Sequence, residues 1–112
     1  MIVSLDAQLT QLHANCCQAL ADPKRIQILY ALAQQPRHVS TLAHDLNLSQ
    51  STVSRHLSVL NQQSLVYSER DGVSVTYQLM DARIIEVLDT LWLLVYESLE
   101  RKTAVLNGRA PA

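Results

Sequence analysis

The chain has 112 residues, of which 48% are hydrophobic and 17% are charged, and its formal net charge at pH 7 is −1. This size and composition fit one folded domain and exclude an intrinsically disordered chain. No apolar run reaches the roughly 18 residues of a membrane span, and the N-terminal residues lack the basic region of a signal peptide, so we expect a cytoplasmic protein.

The charge is distributed unevenly along the chain. Residues 23–70 carry five basic and two acidic residues, whereas the segments on either side are each acidic overall. A basic middle segment suits an anionic partner such as DNA. Ordinary surface charge would give the same pattern, so charge alone does not decide between the two.

Helical spacing of apolar residues predicts two helices at the start of the chain. The first is an amphipathic helix over residues 4–20, and the second follows Asp22 and Pro23. Asp22 can cap the second helix, and proline fits its first helical position. The expected buried face of the second helix is Ile26, Leu29, Leu32 and Ala33.

The next segment predicts a helix-turn-helix. Ser40 is expected to cap a short helix, and Asn47-Leu48 to form a tight turn after it. Ser49 is expected to cap the second helix of the pair, over residues 49–63. The predicted inward-facing residues of the two helices are Leu42, Ala43, Leu46, Val53, Leu57 and Leu60.

Two strands and a long helix complete the chain. LVYSER and VSVTYQL alternate in the manner of strands, and Asp71-Gly72 between them predicts a hairpin turn. Asp81 is expected to cap a helix that runs to about Val105. Apolar residues cover more than one face of this helix, and one chain of this size has little to bury them against. We therefore expect a homodimer formed through the first and last helices.

This order of elements predicts a mainly α fold with a β-hairpin, the winged helix-turn-helix. We expect one domain over residues 1–106 and a flexible tail over residues 107–112. The helix that begins after Ser49 suits DNA, because its N-terminus presents backbone N–H groups to phosphate and its small polar side chains fit the major groove. The expected DNA contacts are Gln50, Ser51, Thr52, Ser54, Arg55 and His56, with Arg70 at the hairpin tip. A winged-helix module that binds protein instead of DNA is the alternative.

From about Leu20 to Leu79 the sequence resembles the ArsR/SmtB family of small dimeric transcriptional repressors. The resemblance rests on ALADPKRIQILYAL, LSQSTVSRHLSVL and VYSERDGVSVTYQL. It implies a homodimer on palindromic operator DNA, released by an inducer that is usually a thiophilic or borderline metal ion or arsenite. It also implies that residues 49–56 are the recognition helix and residues 70–72 the wing tip.

Two metal sites common in that family are incomplete in this chain. Where the family has a cysteine motif, this sequence has PRHVSTLA, with His38 and Ser40 near the two cysteine positions and no thiol. On the last helix Asp81 is kept, but Arg83 stands where a histidine is needed, and no histidine follows Tyr77. We therefore expect neither site to hold a metal ion.

The chain has two cysteines, and they are adjacent, at Cys16 and Cys17. His13 precedes them by three and four residues, so the three side chains share one region of the first helix. A disulfide between neighbours would close almost no loop, and a reducing cytosol favours free thiols. Because thiolates select thiophilic ions, we expect the inducer to bind Cys16, Cys17 and His13. Arsenite or antimonite is favoured, Cd or Zn is possible, and DNA binding itself needs no cofactor.

Other interpretations of the cysteines remain open. Cys16 lies on the apolar stripe, where packing alone would explain it. Oxidation of the thiols would instead make a redox-responsive repressor of the same fold. A thiol enzyme using Cys17 and His13 lacks an orienting third group and an oxyanion-hole loop, so we do not expect an enzyme. The third ligand of an inducer, for which His56 is of interest, stays open.

Overall fold

The computed structural model describes residues 6–108, which form five helices and two strands. The helices are α1 (Ala7–Ala19), α2 (Pro23–Gln34), α3 (Val39–Leu46), α4 (Gln50–Gln62) and α5 (Arg83–Leu106), and the strands are β1 (Val66–Asp71) and β2 (Ser74–Leu79). They fall into two compact units, Met1–Asp81 and Ala82–Ala112, the second of which contains α5. The predicted mainly α fold with a hairpin is confirmed. One domain over residues 1–106 stays a prediction, and most of the predicted tail lies outside the described residues.

The core of the first unit is built by α2, α3, α4 and the start of the hairpin. Fully burying a large apolar side chain contributes about 1.5–3 kcal/mol to the stability of the fold, so these contacts hold the elements together. Every predicted inward-facing residue of α4 is buried. The fully buried side chains are Ile28, Leu29, Leu42, Val53, Leu57, Leu60 and Val66.

The buried face of α2 differs from the sequence prediction. Ile28 is buried beside Leu29 and Leu32, whereas Ile26 is half-buried and Ala33 is exposed. The difference arises because α2 packs against α3, α4 and β2, which turns its core-facing side toward Ile28. In α3, Leu42 and Ala43 are buried as predicted, and Leu46 is half-buried.

Two predicted helix caps are confirmed and two are wrong. Asp22 accepts the backbone N–H groups of Lys24 and Arg25, and Ser49 accepts that of Thr52. Ser40 is not a cap, because α3 already begins at Val39 with His38 at its N-cap position. Asp81 is not the cap of α5 either, since Ala82 occupies that position without a side-chain cap hydrogen bond.

The hairpin is fixed to the segment before α3. The backbone of Arg37 donates to and accepts from that of Tyr77 on β2, at 3.1 and 2.8 Å. His38 adds a hydrogen bond from its Nδ1 atom to the Val75 carbonyl oxygen at 2.9 Å. This pairing brings the chain into α3 at His38, which explains why the helix starts before Ser40.

The two turns of the helix-turn-helix and hairpin use positive backbone φ angles. Asn47 has φ of 56°, a conformation that asparagine tolerates better than most residues. In the hairpin, Asp71 pairs with Ser74, so the loop is Gly72-Val73 rather than the predicted Asp71-Gly72. Gly72 has φ of 63° at the first loop position, as in a type II′ turn.

α5 is a 24-residue helix whose apolar side chains are largely exposed. Its stacked rings Trp92 and Tyr96 have centroids 5.2 Å apart. Among residues 6–108, no helix combines the length and apolar character needed to cross a bilayer. The large exposed apolar residues of α5 are Val87, Leu91, Trp92, Leu93, Leu94, Val95, Tyr96, Leu99, Val105 and Leu106.

Candidate nucleic-acid interface and thiol site

The N-terminus of α4 is organised by hydroxyl groups. The Ser49 Oγ atom accepts the Thr52 backbone N–H at 3.1 Å and donates to the Thr52 Oγ1 atom at 2.8 Å. This cap stabilises the start of α4, where the helix dipole and the first N–H groups favour an anion. The local arrangement is therefore suited to a phosphate group.

The predicted DNA contacts on α4 divide into two groups in the structure. Thr52 and His56 are half-buried, and Thr52 also accepts a hydrogen bond from Arg55 Nη2 at 3.4 Å. The outer face of α4 is polar and unobstructed within the first unit. The exposed members of the prediction on this face are Gln50, Ser51, Ser54 and Arg55.

His56 is held from the inner side of α4 by Arg25. The Arg25 Nη1 atom lies 3.3 Å from His56 Nδ1. Because a guanidinium group only donates, Nδ1 must accept, which places the imidazole proton on Nε2. His56 is therefore engaged within the protein through one nitrogen and has an N–H donor on the other.

Arg70 lies at the exposed end of the hairpin. It pairs with Val75 on β2, one pair away from the last pair before the Gly72-Val73 loop. A cation at this place is suited to a flanking phosphate or minor groove. The structure thus puts Arg70 at the wing tip, as predicted.

The two cysteines are free thiols in the last turns of α1. Cys17 is exposed and Cys16 is half-buried, with the exposed His13 one helical turn before them. Burial raises the pKa of Cys16 above that of an ordinary thiol, and the neighbouring Cys17 raises it further. Cys16 is therefore a protonated thiol near neutral pH, and a metal ion must displace its proton to bind.

The structure does not gather a ready metal site around these thiols. Within residues 6–108, no group of three or more His, Cys, Asp or Glu side chains is placed to hold a metal ion. His13, Cys16 and Cys17 share a helix but do not form such a set in one chain. Their role as inducer ligands stays a prediction.

Arg25 is a residue of interest that the sequence analysis missed. It lies in the first turn of α2, where the helix dipole disfavours a cation. That unfavourable position was the available sequence signal. Its three side-chain hydrogen-bond partners lie outside α2, at Gln18, Ala19 and His56.

Comparison with known proteins identifies the family. Residues 22–68 match the family described as bacterial regulatory protein, arsR family. Over 85 residues the chain is 40% identical to the HTH-type transcriptional regulator NmtR of Mycobacterium tuberculosis, covering 76% of this chain and 71% of that protein. The chain belongs to the ArsR family. It is also 38% identical to the transcriptional repressor SmtB homolog of Synechocystis over 77% of this chain and 64% of that protein.

Solved structures agree with this membership of the ArsR family. The crystal structure of M. tuberculosis Rv0081 has a TM-score of 0.78 and 32% identity, covering 86% of this chain and 97% of that one. A homodimeric winged helix-turn-helix DNA-binding domain of Mb0332 from Mycobacterium bovis has a TM-score of 0.76 and 29% identity, covering 90% and 95%. The predicted winged helix-turn-helix is confirmed, and the predicted homodimer and DNA partner agree with the description of the Mb0332 domain. The family consists of DNA-binding regulators, so the prediction that the chain is not an enzyme is confirmed as well.

Proposed function

We propose that this ArsR-family regulator is a repressor that leaves its operator when a thiophilic ion binds Cys16 and Cys17. Arsenite or antimonite is the favoured inducer, with Cd(II) or Zn(II) as the next candidates. The observation that carries the proposal is an adjacent pair of free thiols, one exposed and one half-buried, in a chain that has no other cysteine. A bacterial regulator acts where the chromosome lies, so the proposed compartment is the cytoplasm.

Several features support the thiols as ligands over simple packing. Cys17 is exposed and contributes nothing to a core. Thiolates prefer soft ions such as arsenite and Cd(II), whereas an imidazole at His13 is better suited to Zn(II). Arsenite prefers more thiolates than the pair that one chain supplies, so the partner subunit or water would complete its coordination.

The proposed operator interface is the exposed face of α4 together with the wing tip. Arg55 and Gln50 carry the donor groups that read purines in the major groove, and the serine residues contact phosphates. Arg70 is proposed to contact the flanking phosphate or minor groove. Thr52 acts mainly by holding Arg55 and the helix cap.

The proposed dimer interface uses apolar surface on α1 and α5. On α1, Leu9 and Leu12 are 54% and 62% exposed in the single chain. α5 exposes a longer apolar surface with Trp92 in its middle. A monomer in water would leave these surfaces uncovered, whereas a second copy would bury both.

The first test measures release from operator DNA by each candidate inducer. Reduced dimer bound to a fluorescent operator fragment is titrated with arsenite, Cd(II) and Zn(II). Wild type is expected to dissociate with at least one of them, and the Cys16→Ser/Cys17→Ser variant to stay bound. An Ala14→Ser variant, with an added hydroxyl on the same helix, serves as control and should behave like wild type. Unchanged release of the double serine variant would refute the thiol site.

Redox sensing by the same thiols is the second candidate. The exposed thiol of Cys17 is open to oxidants. A related structure, with 31% identity and a TM-score of 0.67, is that of HlyU from Vibrio cholerae in its reduced form. Adding a peroxide arm to the titration separates the two candidates. Release by peroxide and by none of the three ions would favour oxidation, and re-addition of a reductant should then restore operator binding.

A further inference from the structure

Arg25 links the end of α1 to α4. Its Nε atom donates a hydrogen bond to the Ala19 carbonyl oxygen at 2.6 Å, and its Nη2 atom donates to the Gln18 carbonyl oxygen at 3.3 Å. Its Nη1 atom donates to Nδ1 of His56 at 3.3 Å. A single rigid, planar guanidinium group therefore contacts the thiol-bearing helix and α4, the helix proposed to contact operator DNA.

The positively charged group at the C-terminal end of α1 belongs to another helix. α1 has no basic residue in its last turn, although a cation there stabilises the last carbonyl groups. Arg25 supplies that cation from α2. The neighbouring carbonyls, those of Cys16 and Cys17, accept the backbone N–H of Leu20, so thiols and Arg25 share one hydrogen-bonded turn.

A ligand on the thiols would disturb this turn. Adjacent side chains on an α-helix do not face each other, so one ion held by both sulfur atoms strains the backbone between Cys16 and Cys17. Within a single chain little packing opposes that strain, because Ala19 is the one buried residue of α1. The carbonyl groups of Gln18 and Ala19 lie directly after the strained segment and move with it.

We propose that Arg25 transmits inducer occupancy at Cys16 and Cys17 to α4 through His56. When the end of α1 shifts, the guanidinium group follows its two carbonyl partners and its bond to His56 is lost. α4 then loses a contact that fixes the His56 side chain and its Nε2 donor. The proposal rests on the proposed thiol site and adds Arg25 and His56 as the positioning residues between that site and the operator.

The test compares the coupling between inducer and operator, rather than operator affinity alone. Cd(II) and arsenite are the probes, and the operator dissociation constant is measured with and without each probe. The operator dissociation constant with the probe, divided by the constant without it, is the coupling ratio. A change in operator affinity that is independent of the probe cancels out of this ratio. Direct Cd(II) titration of DNA-free protein, followed by thiolate absorbance in the ultraviolet, reports ligand binding separately.

Arg25→Lys is the main variant, because lysine keeps the charge but cannot contact three partners in one plane. Its ratio is expected to fall by about ten-fold or more, with Cd(II) affinity of the free protein unchanged. Arg37→Lys is the matched control. Arg37 donates to the Ala31 carbonyl and to Asp45 and Gln34, and it contacts neither α1 nor α4 through these bonds. Its ratio should equal that of wild type.

His56→Phe keeps a ring at position 56 but removes the acceptor of the Arg25 bond. Whatever it does to operator affinity, its ratio is expected to fall as in Arg25→Lys, and it decides the matter if Arg25→Lys does not fold. A wild-type ratio in either folded variant would overturn the role of Arg25. Cd(II) binding that weakens in DNA-free Arg25→Lys would also overturn it, since Arg25 would then shape the thiol site itself. Normal release of the double serine variant would instead refute the thiol site on which the proposal rests.

Discussion

At the scale of single residues, Asp22 shows how one carboxylate shapes the start of α2. The Lys24 backbone N–H, donating at 2.8 Å, is the largest cause of the lowered pKa of Asp22. Burial opposes it as the next largest effect, and the Arg25 N–H lowers the pKa further. A carboxylate with a lowered pKa in the folded state stabilises the fold above its unfolded pKa of about 3.9, and this contribution is lost as the pH falls through the folded pKa. The cap is thus effective at neutral pH and weak in acid.

Asp22→Ala is expected to reduce the free energy of unfolding by about 1 kcal/mol at neutral pH, the usual loss for an N-cap. The difference from wild type should shrink below about pH 4, where Asp22 becomes protonated. Urea denaturation at fixed protomer concentration over a pH series measures both. Asp22→Asn is the control, because its amide oxygen can accept the same N–H groups without titrating. Parallel loss of stability in wild type and Asp22→Ala across the acid range would contradict the prediction.

The thiol pair could be predicted from the sequence, whereas the contact between Arg25 and His56 could not. The thiol pair is visible in the sequence because its members are adjacent. The Arg25–His56 contact joins positions 31 residues apart. No local pattern predicts that contact, since it depends on how α2 and α4 pack. Arg25 is one of two cations in the first turn of α2, and its position there is explained by its partners outside the helix, which only the folded structure shows.

At the scale of elements, the helices that bury a clear apolar face were well predicted. The period of Val53, Leu57 and Leu60 located α4 and its core-facing side. Two of the predicted caps, Ser40 and Asp81, were wrong, because a cap depends on where the backbone enters the helix. For α3 that entry is set by the backbone pairing of Arg37 with Tyr77, which is a tertiary contact. The approximate position of a helix in this chain can therefore be predicted from local apolar spacing. The residue at which it begins depends partly on strands that are distant in sequence.

The α4 interface predicts a specific effect for Arg55. Arg55→Ala is expected to weaken operator binding by about 1–3 kcal/mol if the side chain reads a base, with relaxed preference at that base pair. If it contacts a phosphate instead, all sequences should bind more weakly and the salt dependence should become shallower. Fluorescence anisotropy on the operator and on single-base variants, over a salt series, distinguishes these outcomes.

Lys24→Ala is the matched control for Arg55→Ala, because it removes the same charge from the exposed first turn of α2. It should leave base preference unchanged and reduce affinity only slightly through the loss of overall positive charge. Arg55→Ala protein that binds the operator like wild type at every salt concentration would remove Arg55 from the proposed interface.

At the scale of the whole molecule, the exposed apolar surface of α5 connects assembly with function. Leu91 and Val95 are one helical turn apart, and they are 55% and 60% exposed in the single chain. A symmetric dimer places two α4 helices on one operator, so each half-site depends on the interface that holds the partner. Residues of α5, which are distant in sequence from α4, should therefore control operator affinity.

Leu91→Glu is expected to shift the protein from dimer to monomer at micromolar concentration, because it places a charge within the apolar surface. Operator affinity should fall with the dimer, while the first unit stays folded and a half-site fragment still binds weakly. Sedimentation velocity and anisotropy on full and half operators measure the two effects. Glu97→Gln, a neutral change at an exposed polar position of α5, should leave both unchanged. A Leu91→Glu protein that remains a dimer would show that the subunits associate through another surface, and α1 with its exposed Leu9 and Leu12 would be the next surface to test.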